Sequence, residues 1–271
     1  MPTAKRIIKS MTPPFLWAIG KDLKRRWVHE VDYYAYAPGG SATPLSPGDQ
    51  DFWSSYTRLE REGYQQLTSR VAADAPLFAD AELEAVRHAM YGYALGLVSR
   101  QKHKPSVLDY GGNLGQLYWY GRSLMPGIEL DYHCKELPPV AEAGRAINPA
   151  VKWHTDDRCF ARPYDLVMFL ASLQFVEDWQ DTLRRAAHCT QDCLLLDIAA
   201  VRNAPTFSAT QRFNSLTHVF RVVNRAEVVA LVEAAGLRLR CEFTIGPHPP
   251  VANAPEQPTV VCWVFQRPAI I

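Results

Sequence analysis

The stretch from Val107 to Gly115 reads V-L-D-Y-G-G-N-L-G, and the rest of the sequence is organised around it. A short apolar run ends on Asp109, three glycines follow, and an apolar, aromatic stretch resumes at Leu117. This pattern is typical of a buried strand, a tight glycine turn and the start of a helix. Glycines let a ligand approach the backbone closely, and a helix N-terminus behind them offers free N–H groups. The stretch therefore predicts a nucleotide-sized binding loop at the carboxyl end of a strand, where ligands bind in open α/β sheets.

The loop from Asp109 to Gly115 reads D-x-G-G-x-x-G and lacks the G-x-G-x-x-G fingerprint of dinucleotide-binding folds. It resembles motif I of the class I S-adenosylmethionine (SAM)-dependent methyltransferases, (D/E)-x-G-x-G-x-x-G. Asp109 and Gly111 match, Asn113 replaces the middle glycine, and Gly115 stands one residue before the place of the last glycine; Asn tolerates left-handed backbone better than most residues. The alternatives are a tight turn without a ligand and an NAD-dependent dehydrogenase, for which the third fingerprint glycine is misplaced. The resemblance implies SAM as the cofactor.

Composition and charge exclude several classes of protein. The chain has 271 residues, of which 48% are hydrophobic and 21% charged, and its net charge is +1, so no general affinity for nucleic acid is indicated. Six scattered cysteines without zinc spacing predict buried free thiols, no metal site and a reducing, cytoplasmic location. No apolar run approaches the roughly 18 residues that a membrane-spanning helix needs.

Residues 1–104 are expected to form a helical N-terminal extension, and residues 105–271 a SAM-binding catalytic domain. Helical spacing of apolar residues predicts helices over 52–72 and 80–100, separated from the N-terminus by a loop over 36–50. Residues 1–27 carry seven Lys and Arg residues against one Asp. That segment is interpreted either as a helix with a solvated basic face or as a contact with a membrane surface or an acidic partner. In many methyltransferases such an extension covers the cofactor.

From residue 105 onward, strand and helix patterns alternate. The predicted strands are Ser106–Asp109, Glu129–Lys135, Val151–His154, Tyr164–Leu170, Cys193–Ile198, Leu237–Thr244 and Thr259–Gln266. The predicted helices between them are Leu114–Leu124, Pro139–Ala146, Asp178–His188 and Asn224–Ala235, the last with a capping-box start and a terminal glycine. The proline-rich segment 246–258 cannot be a helix, so the last two strands form an antiparallel pair. The predicted fold is an α/β, Rossmann-like, seven-stranded class I methyltransferase sheet.

The resemblance assigns cofactor contacts to the ends of the strands. Glu136 stands at the end of the second strand, where the family places an acid that binds the ribose hydroxyls. Asp156 or Asp157, after the third strand, would lie near the adenine amino group, and Leu170–Ser172, after the fourth, would flank the adenosine and methionine parts. The full set of predicted cofactor-binding residues is Asp109, Tyr110, Gly111, Gly112, Gly115, Glu136, Leu137, Asp156, Asp157, Leu170, Ala171 and Ser172.

Two residues are predicted on the acceptor side. Gln174, in S-L-Q-F-V-E-D, can reach a substrate or cap a helix. The stretch 198–221 is interpreted as a long functional loop, and His218 within it is the candidate general base because its pKa lies near neutral. For both residues the alternative is a purely structural role.

The sequence pattern is similar to a subgroup of methyltransferases found among polysaccharide and secondary-metabolite biosynthesis genes. Transfer of the SAM methyl group to a small-molecule acceptor is therefore the first hypothesis. A second is attack by SAM's own amine, which would give azetidine-2-carboxylate and methylthioadenosine. A third is a non-catalytic partner protein with the SAM-binding fold. The sequence names neither the acceptor nor the oligomeric state.

Overall fold

A computed structural model describes residues 34–38, 50–73, 82–100, 102–213 and 216–268. The basic segment 1–27 and most of the predicted 36–50 loop lie outside the described residues. No helix within these ranges is both long and apolar enough to cross a bilayer. All six cysteines are free, and five of them are buried; Cys241 is half-buried.

The predicted seven-stranded sheet is confirmed. Its strands are β2 Ser106–Tyr110, β3 Asp131–Lys135, β4 Lys152–His154, β5 Tyr164–Leu170, β6 Thr190–Val201, β9 Arg238–Pro247 and β11 Thr259–Gln266. Five of them are parallel and lie in the order β4-β3-β2-β5-β6, and β11 and then β9 extend the sheet beyond β6. β11 runs antiparallel to both of its neighbours, as predicted for the terminal pair. The result is a Rossmann-like α/β fold with its parallel strands at the centre.

Six α-helices are described: α1 Gln50–Ala72, α2 Glu82–Val98, α3 Gln116–Leu124, α4 Pro138–Ile147, α5 Trp179–Cys189 and α6 Arg225–Ala234. Side chains alternate along the strands, so each face of the sheet builds its own core. Leu108, Val167 and Leu196 pack with residues of α5 and α6, whereas Val107, Leu166 and Leu195 pack with residues of α2 and α3. The parallel strands are apolar on both faces because helices cover both.

Helix α2 belongs to this core although it lies in the predicted N-terminal extension. Tyr91 and Leu95 are fully buried among residues of the sheet. Arg87, one turn before Tyr91, pairs with the buried carboxylate of Asp197 in β6. Helix α1 lies further out, where Tyr64 packs with Leu114 inside the glycine loop. These two helices therefore pack against the main sheet and the glycine loop.

The prediction of a long loop over 198–221 is wrong. β6 continues to Val201, and two further strands, β7 (Phe207–Phe213) and β8 (Leu216–Asn224), form an antiparallel pair. The short strand β1 (Tyr34–Tyr36) pairs with β7, and β10 (Val251–Ala252) pairs with β1. These four strands form a small second sheet. Pairing satisfies the backbone N–H and C=O groups that a buried loop would leave unpaired. Phe207 and Phe220 on one face of this sheet are buried with Tyr34.

Elsewhere the predicted boundaries agree with the structure to within three residues. The predicted cap of α6 is confirmed, because the Asn224 side chain accepts hydrogen bonds from the amides of Ala226 and Glu227. Gly236 follows with φ +89°, a left-handed conformation that favours glycine after a helix end. Among the described residues, strands of the two sheets pair where Ala200 and Val201 of β6 meet Val223 and Asn224 of β8. It therefore projects from the carboxyl end of β6, beside the predicted site.

Candidate active site

The glycine loop after β2 bends through three left-handed residues. Gly111 has φ +78°, Asn113 +54° and Gly115 +75°. Asn113 thus takes the conformation that the family's middle glycine would take, which explains why the departure from the motif is tolerated. Gly115 is the N-cap of α3, and no side chain caps that helix. Within the loop, the amides of Gly111, Asn113 and Gly115 donate to Lys135, Glu136 and Gly112.

A second bend, after β5, touches the first. Ala171 is left-handed with φ +56°, and its amide donates to the Asp197 carbonyl oxygen at 2.9 Å. Ser172 Oγ donates to the carbonyl oxygen of Tyr110. A Cβ added at Gly111 would stand 2.3 Å from Ser172 Cβ, which is closer than real atoms approach. The two loops therefore fit together only with glycine at position 111.

Glu136 ties the end of β3 to the glycine loop. Its Oε1 accepts from the Asn113 amide at 3.0 Å, and its Oε2 accepts from the Leu137 amide at 2.8 Å. Burial raises the pKa of Glu136, and the two amide hydrogen bonds oppose that shift. A carboxylate offers about four acceptor positions, so two remain on Glu136 after these bonds. Glu136 therefore lies at the loop where the sequence predicts it.

Asp109 lies beneath the loop. It is 1% exposed, and the Tyr132 hydroxyl donates to its Oδ2 at 2.6 Å. Burial raises the pKa of Asp109 to about 7. A Cβ at Gly112 would stand 2.1 Å from Asp109 Oδ2, so the glycine lies directly against the carboxyl group. Asp109 therefore supports the loop from the core side, next to the Gly112 backbone.

An aromatic stack extends from the end of β2 towards the region after β4. The Tyr110 ring lies parallel to the Phe160 ring with centroids 5.5 Å apart, and Lys135 Nζ is 4.4 Å from the Tyr110 centroid. The Tyr110 hydroxyl donates to Asp157 Oδ1 at 3.2 Å, and Arg185 pairs with the same carboxylate. The structure thus connects Asp157, through Tyr110, to the end of β2.

The neighbouring Asp156 points elsewhere. It is exposed, and its carboxylate accepts from the amide and the guanidinium of Arg158 at the start of a short 3-10 helix, Asp157–Ala161.

The predicted site residue Leu137 is the N-cap of α4. The sequence analysis did not predict Phe160 or Lys135 at this site. Side chains alternate along a strand, so Lys135 lies on the same face of β3 as Asp131 and His133, and this spacing could have indicated the lysine.

The two acceptor-side candidates lie on different elements. Gln174 is partly exposed in a 3-10 helix, Leu173–Phe175, whose N-cap is Ser172, so it does not cap that helix. His218 lies in β8 opposite Gln211 and is 9% exposed, and burial lowers its pKa. The expected loop position of His218 is wrong, since it is a strand residue. The rings of Phe175 and Phe220 are 6.5 Å apart, which places β8 against the segment that carries Gln174.

No family model matches the sequence, and neither does any curated protein. Among solved structures, the Burkholderia thailandensis 1,6-didemethyltoxoflavin-N1-methyltransferase is 14% identical with a TM-score of 0.49; the match covers 86% of this chain and 95% of that one. The CcbJ methyltransferase of Streptomyces caelestis is 17% identical over 68% of this chain and 89% of its own, with a TM-score of 0.47.

A third structure is the amino pentose methyltransferase CalS10 of Micromonospora echinaspora, from calicheamicin biosynthesis. It is 13% identical over 70% of this chain and 93% of its own, with a TM-score of 0.47. The Burkholderia enzyme is bound to S-adenosylhomocysteine and CalS10 to SAM, the cofactor that the sequence predicts here. The fold of this chain is established by its own strand order, and these three structures with a similar fold are all of methyltransferases.

Proposed function

We propose that the chain is a SAM-dependent methyltransferase that acts on a small-molecule acceptor. The observation that carries this proposal is the meeting of two left-handed bends, at Gly111 and Ala171, with Glu136 hydrogen-bonded to the same loop. These groups converge at the carboxyl edge of a parallel sheet, where open α/β folds bind ligands.

In this proposal Glu136 holds the ribose. Its two remaining acceptor positions match the two ribose hydroxyls, while the bonds to Asn113 and Leu137 fix its direction. The adenine would lie beside Leu137 and the Tyr110 ring, with Asp157 near its amino group, because the Asp156 side chain turns to Arg158 instead. The methionine part would lie along Gly111, Gly112 and the segment Leu170–Ser172, where the two bends meet.

The chemistry is an in-line displacement at the methyl carbon. A lone pair on the acceptor forms the new bond, the carbon–sulfur bond breaks, and its electron pair stays on sulfur. The chain's own contribution is alignment and a fitted charge environment. His218 and Gln174 are the residues proposed on the acceptor side. Because burial lowers the pKa of His218, its neutral form, which can accept a proton, prevails at neutral pH.

The test identifies the nucleoside product. The purified chain is incubated with SAM alone and then with a panel of small-molecule acceptors, and products are analysed by mass spectrometry. S-adenosylhomocysteine formed only with an acceptor supports methyl transfer. Methylthioadenosine formed from SAM alone, faster than the spontaneous background, overturns the proposal in favour of cyclisation. A chain that binds no SAM overturns both reactions.

A further inference from the structure

The carboxyl group of Asp109 lies in the core, directly against the backbone of the glycine loop. Its side chain is 1% exposed, and the Tyr132 hydroxyl donates to its Oδ2 at 2.6 Å. A Cβ added at Gly112 would overlap this carboxyl group, so no side chain separates Asp109 from the loop backbone. Asp109 therefore lies just beneath the segment along which the methionine part of the cofactor is proposed to bind.

Asp109 has no positively charged partner in the part of the chain that the structure describes. The titratable side chains that face it are Tyr91 from α2, Tyr132 and Cys134 from β3, and Glu136 at the end of β3. Burial raises the pKa of Tyr91, Tyr132 and Cys134, so all three are neutral between pH 5.5 and 7.5. A buried carboxylate without a cation is costly, which favours the protonated form of Asp109.

The protonation of Asp109 therefore responds to charge that arrives at the loop. Burial raises its pKa to about 7, the hydrogen bond from Tyr132 opposes that shift, and the negative charge of Glu136 adds to it. Near neutral pH the free chain is thus a mixture of the protonated and ionised forms. A positive charge nearby favours the ionised form, and this effect acts through space without contact. Buried charges are also screened by salt much less than exposed ones.

SAM and its product S-adenosylhomocysteine differ in charge at one atom. Both carry the adenosine, the carboxylate and the ammonium group. SAM has a sulfonium, whereas S-adenosylhomocysteine has a neutral thioether, so SAM carries one positive charge more. Contacts with the shared groups, including the ribose contacts proposed for Glu136, contribute to the binding of both molecules. A difference between the two affinities therefore reports on the charge at sulfur.

We propose that Asp109 determines a preference of this chain for SAM over S-adenosylhomocysteine. This inference rests on the proposed methyl transfer. SAM binds with Asp109 ionised, and the proton passes to solvent; S-adenosylhomocysteine leaves the protonation of Asp109 as it is in the free chain. When the methyl group leaves, sulfur becomes neutral and Asp109 takes up a proton from solvent. The donor is thus held more tightly than the product, which favours product release.

The test compares the two dissociation constants by calorimetry at pH 5.5, 6.5 and 7.5, at one ionic strength. Repeating each titration in buffers of different ionisation enthalpy gives the number of protons released. The variants are Asp109→Asn, Tyr132→Phe and, as a matched carboxylate control, Glu142→Gln on the exposed side of α4. Asn has the shape of a protonated Asp and can still accept from Tyr132, so the packing of the core is kept. Thermal melting of each variant reports folding.

We expect the preference of the wild type for SAM, expressed as the ratio of the two dissociation constants, to rise roughly threefold or more from pH 5.5 to 7.5. At pH 6.5, SAM should release a larger fraction of a proton than S-adenosylhomocysteine does. Asp109→Asn should lose both effects, and Glu142→Gln should keep them. Tyr132→Phe removes the hydrogen bond that lowers the pKa of Asp109, so the rise should move to higher pH.

A wild-type chain that binds both molecules with a ratio independent of pH overturns the inference. The same rise and the same proton release in Asp109→Asn would assign them to another group, and a Tyr132→Phe transition at unchanged pH would count against Asp109 as well. A chain that binds neither SAM nor S-adenosylhomocysteine gives a different result, because it overturns the proposed function and this inference together.

Discussion

Replacing Glu136 by Gln should weaken cofactor binding with little change in the fold. Gln keeps the size of the side chain and can still accept from the Asn113 amide, but its amide group would face the Leu137 N–H, donor against donor. The two acceptor positions proposed for the ribose would also lose their charge. Hydrogen bonds to charged groups contribute about 1.5–3 kcal/mol, so the dissociation constant should rise roughly 10- to 150-fold.

Calorimetric titration with S-adenosylhomocysteine measures this change directly. Glu142→Gln, an exposed position on α4, is the matched control and should bind as the wild type does. Thermal melting in the absence of ligand separates loss of binding from loss of folding. A Glu136→Gln variant that melts normally and binds with wild-type affinity would refute the placement of the ribose at this carboxylate.

Three further variants and one control test the packing around the site by equilibrium unfolding in denaturant. Gly111→Ala should lower the free energy of unfolding by roughly 2–5 kcal/mol, from left-handed strain and overpacking; a loss below about 0.5 kcal/mol would contradict the tight loop contact. Because the pKa of Asp109 is raised from 3.8 to about 7, the folded chain holds a proton that the unfolded chain releases, so this contribution to stability falls as pH rises from about 4 to 7. Asp109→Asn should flatten that part of the wild-type pH profile, and an unchanged profile would count against the shift. Arg87→Met should cost up to about 3–5 kcal/mol because Asp197 remains buried, whereas the control Lys104→Met, from an exposed pair, should leave stability nearly unchanged.

The main sheet could be predicted from the sequence because its signals are local. The run V-L-D before the glycines and the apolar segment Tyr164–Leu170 are buried strands flanked by turn residues and helical patterns. The positions of Gly111 and Glu136 followed from motif spacing, and the structure brings both to one loop. Spacing carries this information because parallel strands end at a common edge.

The second sheet was missed because its pairings are long-range. β1 is only three residues long, and its partners are residues 209–211 and 251–252. The segment Phe207–Phe213 contains Ser, Thr, Gln and Arg, which favour a loop interpretation, although Phe207 and Ala209 alternate inward.

The central claim is that the loop from Asp109 to Gly115 binds the cofactor, and titration of the full chain with S-adenosylhomocysteine tests it most directly. The account predicts saturable binding of one molecule per chain, protection of the amides of Gly111–Gly115 from hydrogen exchange in the complex, and no binding of NAD under the same conditions. Absence of binding, or binding that leaves those amides unprotected, would contradict it.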